Sequence, residues 1–364
     1  MPRKDPRLTT PAKSFNEVMQ ERTIRHMLYL EGLKTRQAKE VLKFVDNDIL
    51  PDLKTKLYAR LANIESLGFD RGAATTRRIE SMIGSFQLVT NRFKDISTRV
   101  QGELFALGTD EANFLYGSMV EESPVKLDLT FAPPEKIIAA ITTKPFDGRT
   151  LDQWYERLAV STQDRLAATI RRGVVEGQTT QQIVTQAMQG LQTTRKQTEA
   201  VVRSAVQHVS DAARTEFALA NADVIKGEVW IATLDTRTCP RCAPLDGKVF
   251  QVGEGARPPL HVSCRCARSP IAKSWRELGF DIDDLDPTTR ASMGGQVPKD
   301  ITYNQWLKGQ PLDVQEMALG KARARLFRYG GLNVDQFVNR NRVELTLDDI
   351  RKRESLAFSA AGLQ

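Results

Sequence analysis

Four cysteines and one histidine are the residues whose types and spacing point to chemistry. Cys239 and Cys242 form a C-x-x-C, Cys264 and Cys266 a C-x-C, and His261 stands three residues before Cys264. All the cysteines of this 364-residue chain fall within those 28 positions. Two such knuckles facing each other across a hairpin supply soft ligands at tetrahedral angles, and zinc is the common ion for that donor set in a reducing compartment. Cys239 and Cys242 are the firmest ligands, while His261, Cys264 and Cys266 compete for the other two positions. A four-ligand site is a structural staple, closed to catalysis. Metal-free packed thiols and disulfides are the alternatives; the latter need an oxidising compartment, and the charged, proline-bearing start Met1 to Phe15 is no secretory signal.

Other metal and nucleotide chemistries lack their residues. A zinc deaminase needs an upstream H-x-E, but Leu28 and Ser210 stand two residues after His26 and His208. There is no H-E-x-x-H, no phosphate-binding G-x-x-x-x-G-K-[ST], no dinucleotide-type G-x-G-x-x-G and no E-x-E pair of the kind ADP-ribosyltransferases use. We therefore expect no enzyme, and no catalytic residue is assigned. No stretch reaches the roughly 18 apolar residues of a membrane span. The net charge is +7. Between Asp235 and Arg276 eight basic residues meet three acidic ones, so most of the excess sits in one segment. Arg237, Arg241, Lys248, Arg257, Arg265, Arg268 and Lys273 are candidates for contact with a polyanion such as the DNA backbone, against the alternative of a solvated face.

The elements that position these groups are mostly helical. The length exceeds the roughly 250 to 300 residues at which one core stops growing, so two or three domains are expected. Ser14 with Glu17 is a capping box, and Pro51 suits the first turn of a second helix, which Gly68 would end. Ile79, Met82, Phe86, Val89, Phe93, Ile96, Val100 and Leu104 recur at steps of three and four, a heptad-like seam that either other helices of the chain or a partner must cover. Val125, Leu127, Leu129 and Phe131 alternate with polar residues as in a half-buried strand. A second helical block carries Val202, Ala205, Val206, Val209, Ala213 and Phe217 on one face. Periodicity collapses at Gly227, where Val229-Trp230-Ile231 opens a small β element, and Asp246-Gly247 reads as a hairpin turn. The fold class is thus mainly α with a small β element. We expect an elongated helical N-terminal domain over 1–118 with an arm at 1–13, and a linker with a short strand over 119–145. A helical core with a cysteine-bearing β element follows over 146–270, then an acidic linker (Asp281, Asp283, Asp284, Asp286) and helical C-terminal module over 271–364.

The segments Arg214-Thr215-Glu216, Val229-Trp230, Asp235 through Cys242, Leu245 through Phe250 and Pro258 through Cys266 together resemble the head-morphogenesis family of tailed-phage minor head proteins typified by phage Mu protein F. Phe146 through Leu151 and the break at Gly177 look like the helical start of that domain, extending the resemblance to about 146–270. Tyr303 through Leu307, Leu319 through Arg323 and Leu345 through Arg351 resemble a C-terminal extension of some such proteins. Many members have asparagine before the first cysteine of the second knuckle, where this chain has Ser263. The resemblance implies a minor capsid protein of a bacteriophage virion, sited at the portal vertex or capsid interior and in the host cytoplasm during assembly. Its implied partners are the portal protein, the major capsid or scaffold protein and the DNA backbone, with a role in prohead formation and in packaging or ejection. Arg214 and Glu216 are expected to hold structure rather than to catalyse. The alternatives are a zinc-ribbon nucleic-acid-binding protein and a head protein bearing an unrecognised toxin activity.

Overall fold

The computed structural model describes residues 13–67, 73–87, 91–281 and 289–363. It is 64% helical with small antiparallel sheets, as the periodicities imply. Helix α1 (Phe15–Phe44) begins where expected, with Ser14 Oγ accepting from the Glu17 amide at 3.2 Å. One π-helical stretch, Val45–Ile49, carries it into α2 (Leu50–Ser66), which has Pro51 in its first turn. Gly68 lies outside the described residues.

The seam does not form one helix. Ile79 and Met82 lie on α3 (Ala73–Ser85), Phe93 ends a 3-10 turn (Asn91–Phe93), and Ile96, Val100 and Leu104 lie on α4 (Asp95–Glu122). Val89 is outside the described residues. The other seven seam residues are at most 6% exposed within the chain's own core, so none of the described seam residues offers a face to a partner. The alternating stretch from Val125 to Phe131 is extended but joins no sheet. At Thr130 the backbone is satisfied by a side chain instead: Asn221 Oδ1 accepts from the Thr130 amide at 2.7 Å and Asn221 Nδ2 donates to the Thr130 carbonyl at 2.9 Å.

Beyond α5 (Pro134–Thr143), two long helices form an antiparallel pair, α6 (Leu151–Val175) and α7 (Thr180–Ala220). Thr150 with Gln153 and Thr179 with Gln182 make capping boxes, and Gly177, at φ +70°, supplies the left-handed residue of the turn between them. Helix α7 is the spine, packed by α1, α2, α4, α5 and α6. One apolar cluster runs from Leu30 on α1 to Ala213 on α7, so the N-terminal helices and the central block share a core.

From α7 the chain enters β1 (Ile225–Ile231), the centre of a sheet of order β2-β1-β3 with β2 (Val249–Phe250) and β3 (Ala267–Ala272) antiparallel on either side. Helix α1 lies against β3: Asn16 Oδ1 accepts from the Ala272 amide at 2.9 Å, and Thr23 Oγ1 donates to Ser269 Oγ at 3.2 Å. A hairpin of β4 (Thr289–Ser292) and β5 (Gly295–Pro298) leads to five short helices, α8 (Tyr303–Lys308), α9 (Leu312–Leu319), α10 (Lys321–Arg328), α11 (Leu347–Arg353) and α12 (Ser355–Ala360). Their apolar cluster, around Trp306, Phe327, Phe337 and Ile350, takes in Leu234 and Ala243 from the cysteine element. Of the acidic string only Asp281 is described, and its side chain is 98% exposed.

Candidate metal centre

The first knuckle leaves the end of β1 and folds on itself: the Cys239 carbonyl accepts from the Cys242 amide at 3.1 Å and the Ala243 amide at 3.0 Å, opening the 3-10 turn Ala243–Leu245. Asp246 and Gly247 then return the chain to β2. This turn is tied down more firmly than a hairpin tip. The buried Asp246 carboxylate accepts from the Ala232 amide at 2.9 Å, the Tyr303 amide at 2.9 Å and both terminal nitrogens of Arg290 at 2.9 and 3.1 Å. Tyr303 Oη adds a bond to the Asp235 carbonyl at 3.0 Å, so the C-terminal helices clamp the knuckle.

The second knuckle is held from the helices. Ser263, at φ +61°, turns the chain between His261 and Cys264, and its amide donates to Ser204 Oγ on α7 at 2.8 Å. Gln207 Nε2 donates to the Cys266 carbonyl at 3.0 Å, and the buried Lys34 of α1 reaches the Cys264 carbonyl at 3.3 Å and Gln207 Oε1 at 2.7 Å. Trp230, fully buried on β1, forms the floor with Cys242, Cys264 and Cys266.

All five expected ligands converge. His261 Nε2 lies 3.1 Å from Cys239 Sγ and 3.4 Å from Cys242 Sγ, and Cys242 Sγ lies 3.8 Å from Cys264 Sγ. The donor atoms fall into two overlapping triads, Cys239/Cys242/His261 and Cys242/Cys264/Cys266, with Cys242 in both. A tetrahedral zinc site with Zn–S near 2.3 Å has ligand-to-ligand edges of roughly 3.5 to 3.8 Å. The observed separations lie close to those edges, and a group of this kind could hold a metal ion. The cysteines are free thiols rather than disulfides. Crowding splits their acidities: hydrogen bonding from Cys242 draws Cys239 down to about 4, whereas the neighbouring thiols raise Cys242. Burial opposes charge on His261, yet hydrogen bonds to Cys239 and Cys264 outweigh it and raise the imidazole to about 11. The cluster thus favours the Cys239 thiolate, the state in which a cysteine ligates a cation, whereas His261 would release its proton on binding one.

The basic segment is less of a surface than its composition implies. Arg268 is buried, bonded to Glu228 Oε2 at 3.2 Å and to the Ala256 carbonyl, with its guanidinium 4.1 Å from the Phe250 ring centroid. Arg257 pairs with Glu228 and stands 3.5 Å from Asp211. Arg265 makes a two-pronged bond to Asp235 at 2.7 and 2.8 Å. The side chains of all three are at most 18% exposed and their charge is matched inside the fold, because an unpaired buried cation is costly. Arg237 and Lys248 are exposed, and Arg241 and Lys273 are half-buried.

Sequence reasoning missed a buried knot beneath β3. Glu111 of α4 accepts from Ser210 Oγ at 2.6 Å and Arg214 Nε at 3.1 Å, and it pairs with His26 of α1. Arg214 Nη1 continues to the Arg268 carbonyl at 3.4 Å. Arg214 is therefore a buried structural group, while Glu216 on another face pairs with Lys144 at 2.8 Å. His26 stacks on Phe114 and His208 is bonded to the Ile141 carbonyl at 3.0 Å, both away from the cysteines. A lone acid inside an otherwise apolar helix face was the available signal.

The helix, sheet and knuckles together define a class of protein. Residues 164–269 match the family model described as Phage Mu protein F like protein, which spans α7, β1, both knuckles and the start of β3. Over that segment the chain is similar to phage minor head proteins, as its motifs indicate. It is 24% identical over 217 residues to minor head protein GP7 of Bacillus phage SPP1, covering 54% of this chain and 67% of that protein. No solved structure gives a significant match. No described helix is long and apolar enough to cross a membrane.

Proposed function

We propose that this protein is a structural, non-enzymatic component of a tailed-phage head, joining the prohead at the portal vertex during assembly and remaining with the virion. The match of residues 164–269 to the Mu F-like family carries the reading. Its direct partners are then the portal protein and the major capsid or scaffold protein. Particles assembled with and without the protein, together with co-purification alongside the portal protein, test it. Normal proheads in its absence, with no association in extracts, would reject it.

Within that role the cysteine centre acts as a zinc staple. Cys239, Cys242, His261 and Cys264 are the proposed ligands, because direct contacts link these four in series. Bound zinc would supply a fixed divalent charge that neutralises the thiolates; the chain's own groups, from Lys34 to Tyr303, hold the two knuckles around it. Any sequence-independent contact with packaged DNA falls to the accessible Arg237, Arg241, Lys248 and Lys273. Metal analysis should give about one zinc per chain, lost in Cys242→Ser and His261→Ala but kept in Cys266→Ser. Equal loss in Cys266→Ser would move the fourth ligand.

A further inference from the structure

A cleft that contains none of the cysteines borders the metal centre at Arg241 and the Pro258-Pro259 segment. It encloses about 530 Å³ and is lined by the turn around Phe146, by Asp211 of α7, by Arg257 through Leu260, and by Arg241 of the first knuckle. We infer that this cleft binds the phosphoryl group of a nucleotide. The inference gives the general DNA contact proposed above a specific seat, and it depends neither on that contact nor on the zinc.

The polar atoms of the cleft are out of balance in one direction. Arg257 Nε, Arg257 Nη1 and Arg241 Nε are buried and make no hydrogen bond, whereas Asp211 Oδ1 is the single lining acceptor among the described residues in that condition. Arg257 Nη2 pairs with Glu228, which lies outside the lining, while the carboxylates that line the cleft stand off: Asp211 is 3.5 Å from Arg257 Nη1, and Asp147 is 3.9 Å from Arg241 Nη2. Buried guanidinium donors left unmade are costly, and two planar guanidiniums converging on one cavity match an oxyanion with several acceptor oxygens. Lys144 at the rim adds a third cation, shared with Glu216.

Size and wall chemistry then select the carrier of that oxyanion. The volume is far more than a bare phosphate needs and falls within the usual range for small-molecule sites. Phe146, Pro259 and Leu260 give it an apolar side on which a sugar or base can rest. Two lining carboxylates oppose an anion, the partly exposed Asp147 and the buried Asp211. Burial, opposed by Arg257, raises the Asp211 carboxyl to about 6, so its charge is easily surrendered when an anion enters.

Titration calorimetry of the full chain with thymidine 5′-monophosphate, inorganic phosphate and thymidine separates the sources. The monophosphate should bind at least about tenfold more tightly than inorganic phosphate, and thymidine should not bind. Arg241→Gln, a half-exposed residue without a close ion pair, should weaken monophosphate binding about tenfold. Asp211→Asn should strengthen it several-fold, a direction that loss of structure cannot produce. Equal affinity for phosphate and the monophosphate would remove the nucleotide from the inference. No binding by either, an unaffected Arg241→Gln or a weakened Asp211→Asn would overturn it altogether. Incorporation into particles, measured on the same variants, reports on the head-protein reading separately.

Discussion

Replacing Glu111 by glutamine tests whether the buried knot holds the cysteine-bearing sheet against the helices. The carboxylate has no exposed side-chain surface and joins α4 to His26 of α1 and to Ser210 and Arg214 of α7. Burial favours its neutral form, but Arg214 and His26 overcome this and lower the carboxyl from 4.5 to about 2. At roughly 1.4 kcal/mol per pH unit, the displacement corresponds to about 3 kcal/mol of folding stability at neutral pH. Leaving Arg214 as an uncompensated buried cation costs a similar amount, about 3 to 5 kcal/mol. Glutamine keeps the shape and one acceptor, so Glu111→Gln should lose about 3 kcal/mol in urea unfolding with an unchanged slope. The sign with pH follows from a depressed carboxylate: the wild-type advantage is complete above about pH 4.5, shrinks as the pH falls and vanishes near pH 2. Asp211, whose carboxyl is raised to about 6, titrates in both proteins and cancels from the difference. A gap below about 1 kcal/mol at pH 7, or one that widens on acidification, would refute the reasoning.

Other perturbations separate structure from surface. Arg268→Ala should destabilise the chain by about 3 kcal/mol by leaving buried Glu228 with Arg257 alone and by removing the packing against Phe250, whereas Arg237→Ala should leave the unfolding midpoint unchanged and lower only affinity for DNA, read by salt-dependent filter binding. Ser263→Asn should raise stability by about 0.5 to 1 kcal/mol in a denaturant melt, because asparagine tolerates the left-handed backbone that serine occupies there. Chelation of a zinc-loaded chain should speed hydrogen exchange across residues 228–270 before the α3 and α4 amides respond. Removing residues 1–118 should leave a remainder that does not fold, seen as loss of the cooperative unfolding transition, because α7 would lose α1, α2 and α4 and Lys34 would leave the second knuckle.

What the sequence discloses depends on whether a feature is local. The cysteine spacing is local chemistry, and the structure brings all five candidate residues together. The capping serine Ser14 and the capping boxes at Thr150 and Thr179 are equally local, and each starts a helix. The apolar seam from Ile79 to Leu104 is local only in part: periodicity reveals a face that must be covered, but says nothing of what covers it, and here the chain covers its own. Charge is the least legible. A count of arginines between Asp235 and Arg276 cannot distinguish Arg237 in solvent from Arg268 in the core, since the partner of Arg268 is Glu228, 40 positions away. Glu228 did carry a signal of its own. A carboxylate two residues before Trp230 in a strand shares its face, and a face that buries the tryptophan must also bury a cation for the glutamate. The same argument applies to Asp246, whose partners Arg290 and Tyr303 lie 44 and 57 positions on. Buried acids next to apolar residues, rather than clusters of basic ones, are therefore the better guide in this chain to where its distant segments meet.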